Sequence, residues 1–463
     1  MSKTLIALEA RYEQLAQELA AKGVEYVLGG WVDVLGRAKS KFVPVAHLPE
    51  MIAGSERYTG RGVNNLGSWN AIEDECIALP DPDTLLVLPW DKRIAFMNAD
   101  LHFGEHGPFA HCSRSILKEQ IAALAGIGLR FNLGVETEFY VFREDRLPDL
   151  VPLVRSHSAE VMNSPAYDVE ATLDSLDFLR QMQRYMGDIG LDVYSFDSEG
   201  GHGQYEFDFT YDEVLTMVDK LTVFRLMARQ VAKELGAVAT FMPKPTTDAW
   251  GSGAHVNFSL ERCDTGENVM RDESDPRGHG WSVTTYQFMA GILDHARALS
   301  ALMSPTVNSY KRLVPRLADG GISFAPANWA TYGINNRSCM IRLPENRPAL
   351  ENRGVDAAAN IYLTSAFMIA AGMDGIKRNL DPGEAVVGDA YNWQGSDGAG
   401  PPANRKLPLT LVEAVDAFEA DPLVHEVFHA GFVKDYCEMK RNEWNSYYSQ
   451  VTDWEREQYL LNL

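Results

Sequence analysis

The stretch from Thr240 to Leu260 constrains this chain most. It opens as Thr-Phe-Met-Pro-Lys-Pro and closes as Gly-Ser-Gly-Ala-His-Val-Asn-Phe-Ser-Leu. The prolines halt the preceding helical run, the glycines permit close backbone approach, and His255, Asn257 and Ser259 alternate so that all three leave one side of a strand. That polar row stands where a buried strand would carry Val or Leu. A single strand histidine ordinarily reads as a hydrogen-bonded core residue, and it becomes a ligand only if carboxylates from elsewhere converge on it.

The 463 residues suffice for two or three domains, or one large domain with a smaller companion, and 46% apolar composition supplies a sizeable interior. A formal charge of -22, from 64 acidic against 42 basic residues, argues against nucleic acid or an anionic membrane as partner. Clustered arginines can still hold phosphate. No apolar run approaches the roughly 20 residues of a membrane span, and Met-Ser-Lys-Thr has no signal-peptide core, so a soluble cytoplasmic protein is expected. Cys76, Cys112, Cys263, Cys339 and Cys437 are scattered, without a C-x-x-C pair, and read as reduced thiols.

In chain order, Leu5, Leu8, Tyr12, Leu15 and Leu19 predict an opening helix capped at Gly23. Strand-like pieces follow at Val24 to Val34, Lys39 to Val45, Cys76 to Leu79, Thr84 to Pro89 and Arg93 to Met97, with a long loop from Gly60 to Asn70. They predict a small mixed sheet, with a domain boundary near residue 105. Three units then each deliver a helix, a glycine stop and a strand: Ser113 to Ala125 before Leu129 to Phe142, Ala171 to Ile189 before Leu191 to Phe196, and Asp212 to Leu235 before the opening stretch. A further strand is expected at Gln204 to Thr210. Helices are expected at Ser282 to Met303 and at Ile361 to Lys377, the latter capped by Asn360, then a Gly/Pro-rich connection from Gly383 to Leu407 and two closing helical stretches.

Carboxylates that could meet His255 recur on strands. Glu136 and Glu138, two apart, leave the same face. Glu199 and Glu206 flank a glycine-rich turn, and Glu351 shares a face with Arg353. Each motif alone also fits a solvated strand face. Together they form a hard, oxygen-rich set suited to Mg2+ or Mn2+. Such a face is tolerable only if divalent cations and bound phosphate organise it, and Arg312, Arg337, Arg342 and Arg353 offer forked donors for phosphate oxygens.

These residues resemble the glutamine synthetases over most of residues 15–463. The resemblance is carried by Glu136-Thr-Glu138, Gly-Gln-Tyr-Glu206, Thr240-Phe-Met-Pro-Lys-Pro245, Gly-Ser-Gly-x-His255, Asn-Ser-Tyr-Lys-Arg312-Leu-Val-Pro, Asn336-Arg337-Ser, Ile-Arg342 and Ala-Ala-Asn360. It implies an α+β chain: a small N-terminal β-grasp-like domain over residues 1–105 and a large α/β catalytic domain over 106–463, with a curved antiparallel sheet of the glutamine synthetase and guanido kinase type. It also implies a dodecamer of two stacked hexameric rings with active sites between subunits. Glu138, Glu199 and Glu206 would hold one metal ion, and Glu136, His255 and Glu351 a second, among two or three per site. Arg312 and Gly251 would bind glutamate, Arg337 and Arg353 the transferring phosphate, and Ser259, Arg342 and Asn257 the nucleotide. ATP would phosphorylate the γ-carboxylate of glutamate, and an amine would attack the γ-glutamyl phosphate.

The departures fall at the amine site. After Arg312-Leu-Val-Pro the chain has no Gly-Tyr-Glu, and Arg57-Tyr-Thr-Gly-Arg-Gly-Val-Asn-Asn65 has no acid, so both carboxylates that serve ammonium in the family are missing. A substituted amine needs room and apolar walls instead. Phe324, Trp329, Tyr332 and Trp250 are the candidates, with core packing as the alternative for each. The expectation is a γ-glutamylamide ligase using methylamine, another alkylamine or an arylamine. A glutamine synthetase with Asp319 as replacement acid is the first alternative, and a non-catalytic binding member the second.

Overall fold

The computed structural model describes residues 3–64, 66, 75–104, 107–154, 164–314, 325–393 and 403–462. The first helix runs over Lys3–Ala21 and stops at Gly23, whose φ of +87° suits glycine. Tyr26–Val32 pairs in parallel with Ile94–His102, and short antiparallel pieces complete a seven-stranded mixed sheet. The expected return strand from Lys39 to Val45 is reduced to Ala38–Lys39 and Val43–Pro44. Thr84 to Pro89 keeps only Leu86–Val87 as strand. In the Gly60 to Asn70 segment, Gly62–Asn64 is a 3-10 turn, and residues 65 and 67–70 lie outside the described residues.

The second sheet has nine strands and carries the site. Its hub is the strand Leu129–Arg143, which pairs antiparallel with Ala254–Arg262 on one side and Gln204–Phe209 on the other. Leu350–Asn352, Ile341–Leu343 and Tyr332–Ile334 extend it outward beyond Ala254–Arg262. The odd-numbered positions of the hub face a layer of helices, where Phe139, Phe178, Phe207, Phe224 and Phe241 meet at ring separations of 5.3 to 6.4 Å. The even-numbered positions, including Glu136 and Glu138, are thereby turned to the other face. One core runs through the molecule, since Leu28, Val32 and Phe96 of the first sheet belong to the same cluster as Phe131 and Val256 of the second.

Ile361–Lys377 is the central helix. Asn360 caps it by accepting from the backbone N–H groups of Tyr362 and Leu363, an arrangement worth about 1 kcal/mol. The same side chain donates to the Asp33 carbonyl and to Ser113 Oγ, joining the first sheet, the helix Ser113–Gly126 and the central helix at one point. The central helix meets Val283–Asp294 at backbone distance, because a Cβ on Gly291 would stand 1.9 Å from the Ala371 carbonyl.

Three expected helices or helical regions divide differently. Ala171 to Ile189 breaks at Ser175, whose hydroxyl bonds Tyr205 Oη at 2.6 Å. Ser282 to Met303 breaks at His295, which is held by Asp421 at 2.8 Å and Asp374 at 3.1 Å. The closing region comprises Leu411–Ala420, Pro422–Val427, Ala430–Tyr448 and Asp453–Tyr459, four helices where two were expected, because Asp421, His429 and Thr452 each cap a new start. No described helix is long and apolar enough to cross a membrane.

Candidate active site

Strand register assembles the charged face. Glu206 lies opposite Glu138, His255 opposite Glu136, Asn257 opposite Glu351, and Glu351 opposite Arg342, so five strands place their polar side chains in one continuous row. His255 Nδ1 stands 3.6 Å from Glu136 and 3.9 Å from Glu351, while its Nε2 stands 3.6 Å from Glu138. One imidazole therefore faces both halves of the carboxylate set. Ligand atoms of Glu136, His255 and Glu351 fall within 4.8 Å of one another, and so do those of Glu138, Glu206 and His255.

The glycines of Gly-Ser-Gly make that convergence possible. A Cβ on Gly253 would stand 2.7 Å from Arg312 Nη2 and 2.8 Å from His255 Nε2, and one on Gly251 would meet both Arg312 Cγ and the Pro243 carbonyl at 2.6 Å. Glu138 is fixed by the Gly253 N–H at 2.9 Å and by Gln204 Nε2 at 3.1 Å, which also donates to the Gly251 carbonyl. Gln204 belongs to the Gly-Gln-Tyr-Glu turn, but the sequence reading assigned it no role.

The electrostatics divide the face in two. Burial, reinforced by Glu138 and Asp197, pushes the Glu199 carboxyl up to about 8, and burial beside Glu199, Glu138 and Glu136 holds Glu206 well above the usual carboxylate range. Asp197 and Asp208, on the same face, are pushed up to about 6 by burial and by neighbouring acids. At the other end burial also opposes ionisation of Glu351, but Arg353, His255 and Arg342 outweigh it and bring that carboxyl down to about 2. Arg342 Nη1 donates to Glu351 at 2.8 Å and Arg353 Nη1 at 2.5 Å. Arg312 is buried, gives Nη2 to the Arg353 carbonyl, and keeps Nη1 without a partner among the described residues. A buried donor left open in this way has room for a partner other than the described residues.

All six expected metal ligands line one cavity of about 160 Å³, together with Arg312, Arg337, Arg342, Arg353, Gly251 and Trp250. The indole of Trp250 occupies the space beside Gly200, where a Cβ would stand 1.9 Å from the ring. Asn257 and Ser259 line a neighbouring cavity of about 270 Å³ with Tyr194, Tyr211 and Arg347, and Glu136 forms part of both walls. Arg347 was missed by sequence reasoning. It lies between Ile341–Leu343 and Leu350–Asn352, and donates to Asn257 Oδ1 at 2.6 Å and to Glu136 at 3.4 Å. Tyr167 was also missed. It lines the acidic cavity with a φ of +61°, a conformation uncommon for a non-glycine residue and one that leaves no sequence signature.

Two expected aromatic walls are not among the described residues that line the acidic cavity. Trp329 packs with Trp393, Ala327, Cys339 and Val386, and its segment is tied to Lys406 and Arg405 through the backbone. Tyr332 is buried, and its hydroxyl donates to the Gly383 carbonyl at 2.7 Å. Phe324 and Asp319 lie outside the described residues.

A buried floor of opposed carboxylates and guanidiniums is suited to stabilising charge on a transferring group. The comparisons give that chemistry its family. Residues 110–459 match the model of the glutamine synthetase catalytic domain. The chain is 36% identical to the glutamate–methylamine ligase of Methyloversatilis universalis over 96% of this chain and 98% of that one. It is 34% identical to a glutamine synthetase of Rhizobium leguminosarum bv. phaseoli over 95% and 97%. A solved GmaS–ADP complex superposes with a TM-score of 0.87 at 34% identity, covering 97% of this chain and 99% of that one. The chain belongs to the glutamine synthetase family, and it is a glutamate–amine ligase in class.

Proposed function

We propose that this enzyme uses ATP to join the γ-carboxyl of glutamate to a substituted amine, with methylamine the first candidate and other alkylamines or an arylamine next. The observation that carries the reading is Trp250, an indole wall set against Gly200 in a cavity otherwise dominated by charge. An apolar face there favours a carbon-bearing amine over ammonium. The Methyloversatilis relative, a glutamate–methylamine ligase, agrees with it.

The donor set fits divalent metal. Carboxylates crowded enough to raise Glu199 and Glu206 are all ionised together only beside a compensating cation, and oxygen ligands with one imidazole suit Mg2+ or Mn2+. Glu138, Glu199 and Glu206 would hold one ion, and Glu136, His255 and Glu351 another. Bound there, the ions supply neutralisation of charge on phosphate oxygens. Arg312, with its open Nη1, and the backbone at Gly251 orient the glutamate. Arg337 and Arg353 face the phosphoryl group as it leaves ATP, and Ser259 and Asn257 of the adjoining cavity position the nucleotide together with Arg342 of the acidic one. The amine then attacks the γ-glutamyl phosphate and phosphate departs. Assembly as a ring-forming homo-oligomer, a dodecamer by family likeness, is part of the same reading.

The deciding experiment is ADP release with glutamate and each of ammonium, methylamine, isopropylamine, aniline and putrescine. A kcat/KM highest for a carbon-bearing amine supports the proposal. Ammonium as the best substrate would return the protein to glutamine synthetase activity, and no turnover with any amine would indicate a binding role.

A further inference from the structure

A cavity of about 460 Å³ lies behind the turn Val34 to Arg37, outside the catalytic machinery. Its walls are that turn, the helix Val214–Glu234, and the segments around Pro243, Asn308 and Ala358. Three guanidiniums line it, Arg37, Arg225 and Arg229. Arg225 donates Nη2 to the carbonyls of Ala357 and Ala359 at 2.8 and 2.9 Å, and Arg225 and Arg229 lie 5.5 and 5.3 Å from the ring centre of Phe241. The acid on the wall, Glu443, is already engaged by Lys440 at 3.1 Å and by the Val307 N–H at 3.0 Å. Among the described residues no carboxylate pairs with the side chain of Arg37, Arg225 or Arg229. Burial and the charge of Arg229 push Arg225 down to about 10, and burial and Arg37 lower Arg229. In a chain with a net charge of -22, three mutually repelling cations around one cavity call for an anion.

The cavity also touches the substrate side. The Pro243 carbonyl accepts from the Ser252 N–H at 2.7 Å and abuts Gly251. Asn308 clasps Lys244 through both its amide atoms, at 2.7 and 2.9 Å, four residues before Arg312. Drawing these walls together would fix the loop that carries Gly251 and the short helix Ser309–Arg312.

We infer that this cavity binds a small anion bearing two or more carboxylate or phosphate groups, held by Arg37, Arg225 and Arg229, and that its occupancy steadies the glutamate side of the active site. Carboxylate and phosphate sources share the chemistry, and the test separates them. Equilibrium binding of pyrophosphate, inorganic phosphate and succinate is measured on the full chain without nucleotide, glutamate or added metal, for the wild type, an Arg37→Ala/Arg229→Ala double variant, Arg229→Lys and Arg337→Ala. The expected result is one anion equivalent per chain that weakens roughly tenfold or more in the double variant, survives in Arg229→Lys and is unchanged in Arg337→Ala. Preference for pyrophosphate over succinate would name the phosphate source, and the reverse the carboxylate source. Turnover of the double variant without added anion stays within about twofold of wild type, since it removes no group that meets substrate. Absence of that equivalent in the wild type, or wild-type affinity in the double variant, would overturn the inference. Binding is read without turnover, so this outcome is independent of which amine the enzyme uses.

Discussion

The indole of Trp250 fills the space above Gly200 so closely that a methyl group on that glycine would penetrate the ring at 1.9 Å. Gly200 follows Glu199 directly and gives its N–H to that carboxylate at 3.1 Å, so the wall of the cavity and a proposed metal ligand rest on one turn. Replacing Gly200 by Ala should displace either the indole or Glu199. The expected fall in kcat/KM is on the order of tenfold. The loss should be smaller when introduced into a Trp250→Ala background, because that variant has already vacated the space. Steady-state kinetics of the four-member cycle provide the check, and additive losses would show that the two residues do not share the space.

Glu136→Gln keeps the shape of the side chain and removes one negative charge from the row. Affinity for Mn2+, read by titration of its paramagnetic signal, should weaken about tenfold or more, while the far-ultraviolet circular dichroism and melting temperature hold. Unchanged Mn2+ affinity would remove Glu136 from the ligand set.

Arg353 is buried against Glu351, which is itself fully buried. Arg353→Met should destabilise the fold by about 3 kcal/mol in denaturant titration, because it strands a buried carboxylate. Arg342 still bonds Glu351 at 2.8 Å and should keep the loss from growing further. A double variant with Glu351→Gln should recover part of it.

His295 gives a pH dependence whose sign follows from its partners. Burial favours its neutral form, but Asp421 and Asp374 outweigh burial and raise its pKa above the ordinary value. Its contribution to stability is thus complete below the unfolded pKa, about 6.5, and lost as pH rises through the folded one. The melting-temperature gap between wild type and His295→Gln should be widest near pH 6 and should narrow steadily toward pH 9. A gap independent of pH would mean that the imidazole is not charged in the fold.

The carboxylate face was legible because strand alternation is a local property: Glu136 with Glu138, and His255 with Asn257 and Ser259, declare their side from spacing alone. The same holds for Asn360, whose capping role depends on its immediate neighbours. What escaped the sequence depends on distant partners. The helix breaks at Ser175 and His295 follow from bonds to Tyr205, Asp374 and Asp421, the last lying 126 residues away. In sequence Trp329 and Tyr332 fit an amine wall or core packing equally well, and only packing shows which way each turns. Arg347 escaped for the opposite reason, since a polar residue between two strands carries no mark of the direction in which its side chain folds back.

His255 meets Glu136 only because Ala254–Arg262 and Leu129–Arg143 are aligned residue for residue along nine consecutive pairs. Moving either strand by one position would exchange its two sides, sending the imidazole into the phenylalanine layer and Val256 toward the carboxylates. Insertions and deletions within these two strands should therefore be lethal to turnover even where a point substitution is tolerated. Changes in chain length should be tolerated in the connecting loops alone, which leave the spacing of Glu136, Glu138 and His255 intact.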